Sequence, residues 1–441
     1  MSTRQESPKT ERTSRRRFLE NSTAMLGATM AAGLPLARAV HAAGDDKFKV
    51  GLIGCGGRGS GAAANAMNAG GDVILTAMAD VFEDKVKGSR DRLKQQKPDQ
   101  VAVDDDHCFV GFDGYQKVIE SDVDVVIIAC TSHFHPMYLK AAVDAGKHVF
   151  CEKPHSLDVP GLHSVAATCE EAKKKNLSIV SGLCWRYDHG MRETVKRVHD
   201  GMIGDVVAIQ ETYVVGPYRS IEREPGLSEM EWQMRNWYHF NWLAGDQVLQ
   251  QLIHSIDKGA WIMHDEPPVK AWGMGGRANC FGTRYGDLFD HQTVVYEYAN
   301  GVRMFGLCRN HVNCYNQLAD TVFGTKGTAH LVKHRIEVGG KTTWRFEGTK
   351  PSMTDSEHVA LFDSIRNGTP INNAGYMFGS TMLALLGQFV CHTGKEITWD
   401  DALNSKASFA LDRYDWDVEP PIKPNEKGDY DIAVPGVTKF A

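Results

Sequence analysis

The sequence predicts an α/β protein: a doubly wound parallel sheet, then an α+β domain with a largely antiparallel open sheet. Three observations predict it. Between residues 47 and 182, short apolar runs alternate with helical stretches, as in strands buried on both faces by crossover helices. The first run feeds a glycine turn and a helix, and the second ends on an acid. Beyond Leu183 a new strand series begins, and Asn300-Gly301 joins two of its members as a hairpin turn.

Each element has a local reason. Phe48–Ile53 is too short for a helix and apolar enough for a buried parallel strand. It leads into Gly54-Cys55-Gly56-Gly57-Arg58-Gly59, a G-x-G-x-x-G, and a helix over residues 62–69. The glycines permit a tight turn, close approach of backbone to a diphosphate, and close helix–strand packing. The helix N-terminus offers the diphosphate free N–H groups and a positive dipole end. Residues 73–79 form the second strand, and Asp80 ends it 24 residues past Gly56. This is a Rossmann-type dinucleotide site, with Gly54, Gly56, Gly57, Arg58, Gly59 and Asp80 as its cofactor-binding residues. Asp80 can accept both ribose hydroxyls and repels a 2′-phosphate. No cation follows it until Lys85, so NAD is expected and NADP disfavoured.

Strands at 124–130, 148–151 and 177–182 and helices at 134–145 and 158–175 continue the alternation. Ligands gather at the carboxyl ends of such strands. Thr131, Ser132, His135, Glu152 and Lys153 fall there and join the cofactor-binding candidates. After a helix over 191–199, strands are expected at 205–215, 269–274, 292–299, 302–308, 323–331 and 335–338. Late helices at 359–367 and 378–392 support the first domain or the sheet. Helices cover one sheet face, and the other is available for pairing in a homodimer or homotetramer. The domains are expected at 44–182 and 183–441.

Residues 1–43 differ from the rest. They hold seven basic and three acidic residues, so a net charge of −6 for the 441-residue chain becomes −10 for the remainder. An acidic body gives no reason to expect nucleic acid as partner. Hydrophobic residues at 42% and charged ones at 24% exclude a disordered chain. Ser14-Arg15-Arg16-Arg17-Phe18-Leu19 resembles a twin-arginine export signal. The uncharged stretch 21–37 is too weakly apolar for a stable membrane anchor, and Ala37, Ala39, Ala42 and Ala43 offer A-x-A-like cleavage sites. The twin-arginine machinery as partner and a periplasmic destination are expected. No later segment reaches 18 apolar residues, so no membrane span is anticipated there. That route resembles a carrier of already folded proteins, so the ten cysteines, none in a C-x-x-C, are expected to be mostly buried free thiols, with no metal site.

Ala145-Gly146-Lys147-His148-Val149-Phe150-Cys151-Glu152-Lys153-Pro154 is close to the A-G-K-H-V-x-C-E-K-P signature of the Gfo/Idh/MocA oxidoreductases, which act on sugars and polyols. The resemblance spans residues 47–410 and includes His135, the segment 253–257 and the segment 323–328. In that family the E-K-P lysine and a D-x-x-x-H pair line the nicotinamide. Lys153 matches the lysine and His254 the histidine, while the aspartate position holds Gln250. Gln250 can bind a sugar hydroxyl or orient the imidazole, but cannot stabilise an imidazolium as a carboxylate would. Asp246 or Asp257 can supply that charge. Lys153, His254 and Gln250 are the catalytic candidates, with the base either Lys153 or His254.

Residues 231–242 place three Trp, a Tyr and a Phe beside Asn, Arg and His. Aromatic faces with directed polar groups suit a pyranose. An aromatic plug or an interface patch fits the composition equally. Trp237 and His239 here, with Arg186, Tyr187 and Asp257, are the substrate-binding candidates. The leading expectation is an exported NAD-dependent oxidoreductase of sugars with a tightly held cofactor. A redox-neutral glycoside-cleaving cycle is one alternative; a sugar-binding protein with a vestigial cofactor pocket is the other.

Overall fold

The computed structural model describes residues 47–440, so the twin-arginine segment lies outside the described residues. Six strands build the first sheet: β1 (Phe48–Ile53), β2 (Val73–Asp80), β3 (Cys108–Val110), β4 (Val125–Ile128), β5 (His148–Cys151) and β6 (Ile179–Ser181). All pairs are parallel, in the order β3-β2-β1-β4-β5-β6. The order reverses between β1 and β4, which opens a crevice at the carboxyl ends of those strands. The third strand of the first half, β3, is only Cys-Phe-Val, too short an apolar run to mark a strand by its sequence.

The second sheet has nine strands: β7 (Val206–Val215), β8 (Lys270–Gly276), β9 (His291–Glu297), β10 (Arg303–Asn310), β11 (Gln317–Gly324), β12 (Gly327–His330), β13 (Arg335–Val338), β14 (Lys341–Arg345) and β15 (Ile397–Thr398). Its order is β14-β13-β12-β11-β7-β10-β9-β8-β15, with only the β7–β10 pair parallel. The strand expected over 323–331 is two strands joined by a tight turn at Thr325-Lys326. A Cβ on Gly324 would stand 2.2 Å from the Ile203 carbonyl oxygen, and one on Gly327 2.3 Å from that of Glu337. Only glycine passes those backbones.

The inner sheet face, with Ile209, Val294, Tyr296, Met304 and Val322, packs on the helices Ile253–Ile262 and Ala374–Thr393. The latter has the length and apolarity of a membrane span, yet most of it is buried inside the fold as a core helix. On the outer face, Trp272, Met274 and Phe323 remain exposed. The late helix Met353–Arg366 crosses back to the first domain, where Leu361 and Phe362 share a core with β1 and β2. Among the described residues all ten cysteines are free: seven are buried, Cys108 and Cys130 are half-buried, and Cys314 is exposed.

Candidate active site

A cleft of about 1050 Å³ opens at the switch point between β1 and β4. Its floor is the glycine turn. Gly54 has φ +95°, and a Cβ there would lie 2.4 Å from the Cys130 nitrogen; one on Gly59 would lie 1.8 Å from the Gly54 carbonyl oxygen. These two need glycine for conformation and packing. Gly56 and Gly57 line the cleft at the N-terminus of the helix Gly57–Asn68, and a Cβ on either would meet nothing within 4 Å. The cradle therefore fits a dinucleotide diphosphate.

Asp80 stands at the far end of the cleft. Its Oδ2 accepts the Cys55 N–H at 2.7 Å and its Oδ1 the Phe82 N–H at 3.1 Å, while burial raises its pKa. A carboxylate keeps lone pairs beyond these two bonds, enough for ribose hydroxyls. Arg58 lines the same wall and pairs with Glu152 at 3.2 Å. Glu152 is buried against Gly182, where a Cβ would press on its Oε2 at 2.7 Å. Thr131 and Ser132 line the cleft as well. His135 does not. Its Nδ1 lies 2.8 Å from the Pro154 carbonyl and its Nε2 3.2 Å from that of Cys130, so it ties the two loops together from behind the cleft.

Lys153, Gln250 and His254 meet on one wall. Residues Val248–Leu252 form a π turn ahead of the helix that carries His254. Within it, the Gln250 carbonyl accepts the Lys153 ammonium at 2.6 Å. The Gln250 side-chain amide donates to the carbonyls of Gly245 at 2.6 Å and Tyr238 at 3.0 Å. Gln250 therefore does not orient the imidazole; its Oε1 is left without a partner, as is Nδ1 of His254. Neither proposed charge donor reaches His254. Asp246 accepts His392 at 2.9 Å and the Phe289 N–H, and Asp257 accepts Arg186. With burial and the Lys153 and Lys258 ammoniums against it, the His254 pKa lies well below its ordinary value. Burial lowers the Lys153 pKa too. A buried Lys258–Asp320 ion pair at 2.7 Å pins the His254 helix to the sheet.

Tyr238 and Trp237 complete the wall, stacked 3.7 Å apart, with Tyr218 stacked on Tyr238 at 4.7 Å. The aromatic segment is thus both things its composition allowed. Trp232, Phe240 and Trp242 are buried plugs beneath the first domain, while Trp237 and Tyr238 face the cleft.

Four other candidates stand outside it. Arg186 is buried between Asp257 and Asp265 under the rings of Trp261 and Tyr376. Tyr187 donates its hydroxyl to Asn373, and His239 lines a separate small cavity. Asp257, committed to Arg186 and Ser380, faces away as well. Arg186 and Asp257, 71 residues apart, draw each other into the core, and Tyr187 and His239 are held by Asn373 and the Arg219 carbonyl. Glu357, on a late helix, was not anticipated. It is buried on the cleft wall with an unpartnered Oε2, and burial raises its pKa well above the ordinary carboxyl range. No local motif marks it. Thr131, Gln250, His254 and Glu357 thus all line one cleft, and each holds a buried side-chain atom without a partner.

Comparison with known proteins agrees with this geometry. Residues 48–180 match the family model described as an oxidoreductase NAD-binding Rossmann fold, and 195–379 match its C-terminal alpha/beta domain. The myo-inositol 2-dehydrogenase of Thermotoga maritima is 28% identical over 282 residues, 64% of this chain and 74% of that protein. Two solved structures share the fold. The scyllo-inositol dehydrogenase of Lactobacillus casei aligns with TM-score 0.59 and 21% identity over 81% of this chain and 99% of its own. The aldose-aldose oxidoreductase of Caulobacter crescentus aligns with TM-score 0.60 and 20% identity over 80% and 99%.

Proposed function

The chain belongs to the Gfo/Idh/MocA oxidoreductase family, and we propose that it is an exported enzyme that oxidises a secondary hydroxyl of a sugar or polyol with tightly held NAD. The observation that carries this reading is the meeting of Lys153, Gln250 and His254 beside the Trp237–Tyr238 wall, on a cleft whose other end is the glycine cradle.

Gly54–Gly59 would hold the diphosphate and Asp80 the adenosine ribose. Bound NAD supplies the acceptor for the hydride. Oxidation of a carbinol also requires the hydroxyl proton to leave, so a base must stand within hydrogen-bond reach. Lys153 is the better matched group. One of its N–H bonds rests on the Gln250 carbonyl, and burial lowers its pKa from the ordinary lysine value, which favours the neutral amine that takes the substrate proton. His254 stays neutral and directs the same hydroxyl by hydrogen bond. Trp237 and Tyr238 meet the C–H face of the ring.

Export rests on the Ser14–Leu19 motif and adds a demand. Free NAD is not expected outside the cytoplasm, so the cofactor must travel within the folded protein. Lysines in place of Arg15 and Arg16 should retain the protein inside the cell, and unchanged export would remove this part of the reading. The outer sheet face, with Trp272, Met274 and Phe323 exposed, suits pairing with a second copy of the chain. The functional test is mass-spectrometric detection of nicotinamide in the purified protein, then turnover on inositols, aldoses and glycosides. Bound NAD with oxidation of one of them is expected. Glycoside cleavage without net oxidation would move the reading to the redox-neutral cycle. No turnover at all would leave a binding protein.

A further inference from the structure

The family matches end at residue 379, yet the chain continues to 441. From about residue 404 it runs without helix across the first domain. Between 414 and 419 it alternates: Tyr414, Trp416 and Val418 are half-buried, and Asp415, Asp417 and Glu419 exposed. This is an irregular strap with one apolar side, and it turns where the Val418 N–H donates to the Asp415 carbonyl at 3.2 Å. Its apolar side joins the core shared by the first domain and the segment 230–243.

The strap lands on the loops that follow β2, β3 and β4. The Trp416 ring lies 5.3 Å from that of Phe82 and 4.7 Å from that of Phe112, and the Tyr414 hydroxyl is 2.7 Å from Nε2 of His133. Phe82 is also gripped from the second domain. The Arg235 guanidinium sits 4.1 Å from its ring centroid and 3.6 Å from the Asp84 carboxylate. The Phe82 N–H in turn donates to Asp80. Asp80, Phe82, Asp84 and Arg235 all line the cleft, at its ribose end. A loop after a Rossmann strand ordinarily has one side open to water and can splay to release a ligand. Here splaying must break a cation–π contact, an ion pair and a Trp–Phe contact together.

We propose that Arg235 and the Trp416 strap form a clamp on the Phe82 loop that governs release of NAD from the adenosine end of the cleft. The proposal rests on the reading of the cleft as an NAD site. Both are positioning residues, since they act through Phe82 and Asp84. The clamp answers the need for a cofactor that does not exchange, with residues from the second domain and from a segment beyond the family matches.

The test uses the full chain, loaded with NADH and chased with excess NAD while nicotinamide fluorescence is followed, with NAD content per purified chain as a second readout. Arg235→Ala and Trp416→Ala should each speed dissociation by about tenfold, equivalent to about 1.4 kcal/mol, and lower the copurified NAD. Trp416→Phe should restore slow release, which a requirement for mere bulk stability would not predict if the NAD-free melting temperatures of the variants match. Arg235, a third exposed, carries the test should Trp416→Ala misfold. Dissociation within twofold of wild type in the folded variants would overturn the clamp. A wild-type protein that binds no NADH would overturn the cofactor reading instead.

Discussion

Lys153→Ala probes the proposed chemistry most directly. The side chain is buried, its nitrogen is 2.6 Å from the Gln250 carbonyl, and burial holds its pKa below the ordinary 10.5. Below that pKa the group is an ammonium and cannot take the substrate proton, so wild-type kcat/KM for oxidation should rise with pH and then level off. The reverse reaction needs the ammonium as acid and should fall over the same range. Loss of a positioned acid–base group lowers turnover by about 10²–10⁴-fold. Lys153→Ala should fall by that amount and also lose the rising limb. His254→Ala should be impaired yet keep the limb, because its imidazole is already neutral. The double variant should fall little further than the worse single one, as groups sharing one proton act as a unit. The Gln250 carbonyl left unpaired costs about 1–3 kcal/mol of stability, so thermal melts must show the variants folded. Profiles of kcat/KM against pH for the four proteins make the assay. A limb that survives in Lys153→Ala and disappears in His254→Ala would make the histidine the base, and full activity in both would refute the site.

Asp80→Ala removes a ribose acceptor and a charge that repels a 2′-phosphate, and it orphans the Cys55 and Phe82 N–H groups. Affinity for NAD should drop and the NAD-to-NADP preference shrink by about tenfold, on the scale of one to two hydrogen bonds; tighter binding of NADP by the wild type would refute the assignment. Arg186→Met leaves Asp257 buried without its cation, at about 3–5 kcal/mol of stability in urea titration, with KM unaltered in the folded fraction. A raised KM with unchanged stability would return Arg186 to the substrate site.

Local signals carried much of this protein. The glycine turn, the acid at the end of β2 and the alternating apolar runs predicted the first domain, because strand burial and positive-φ turns depend on residues adjacent in the chain. Lys153 and His254 were legible from the E-K-P segment and the helix that follows the aromatic stretch. The partners of buried charges were not. Asp257 lies 71 residues from Arg186 and Asp246 lies 146 from His392, and sequence distance says nothing about which carboxylate a cation will meet. That choice left His254 without a carboxylate and Gln250 turned to backbone carbonyls. Tertiary packing also divided residues 231–242 into plug and wall, and brought Glu357 to the cleft from a late helix with no motif. It alone carried the strap at 404–440 to Phe82, since a segment without helix or regular strand takes its path from the surface it covers. Backbone geometry is written in short windows; the pairing of buried polar groups is decided only when distant windows meet.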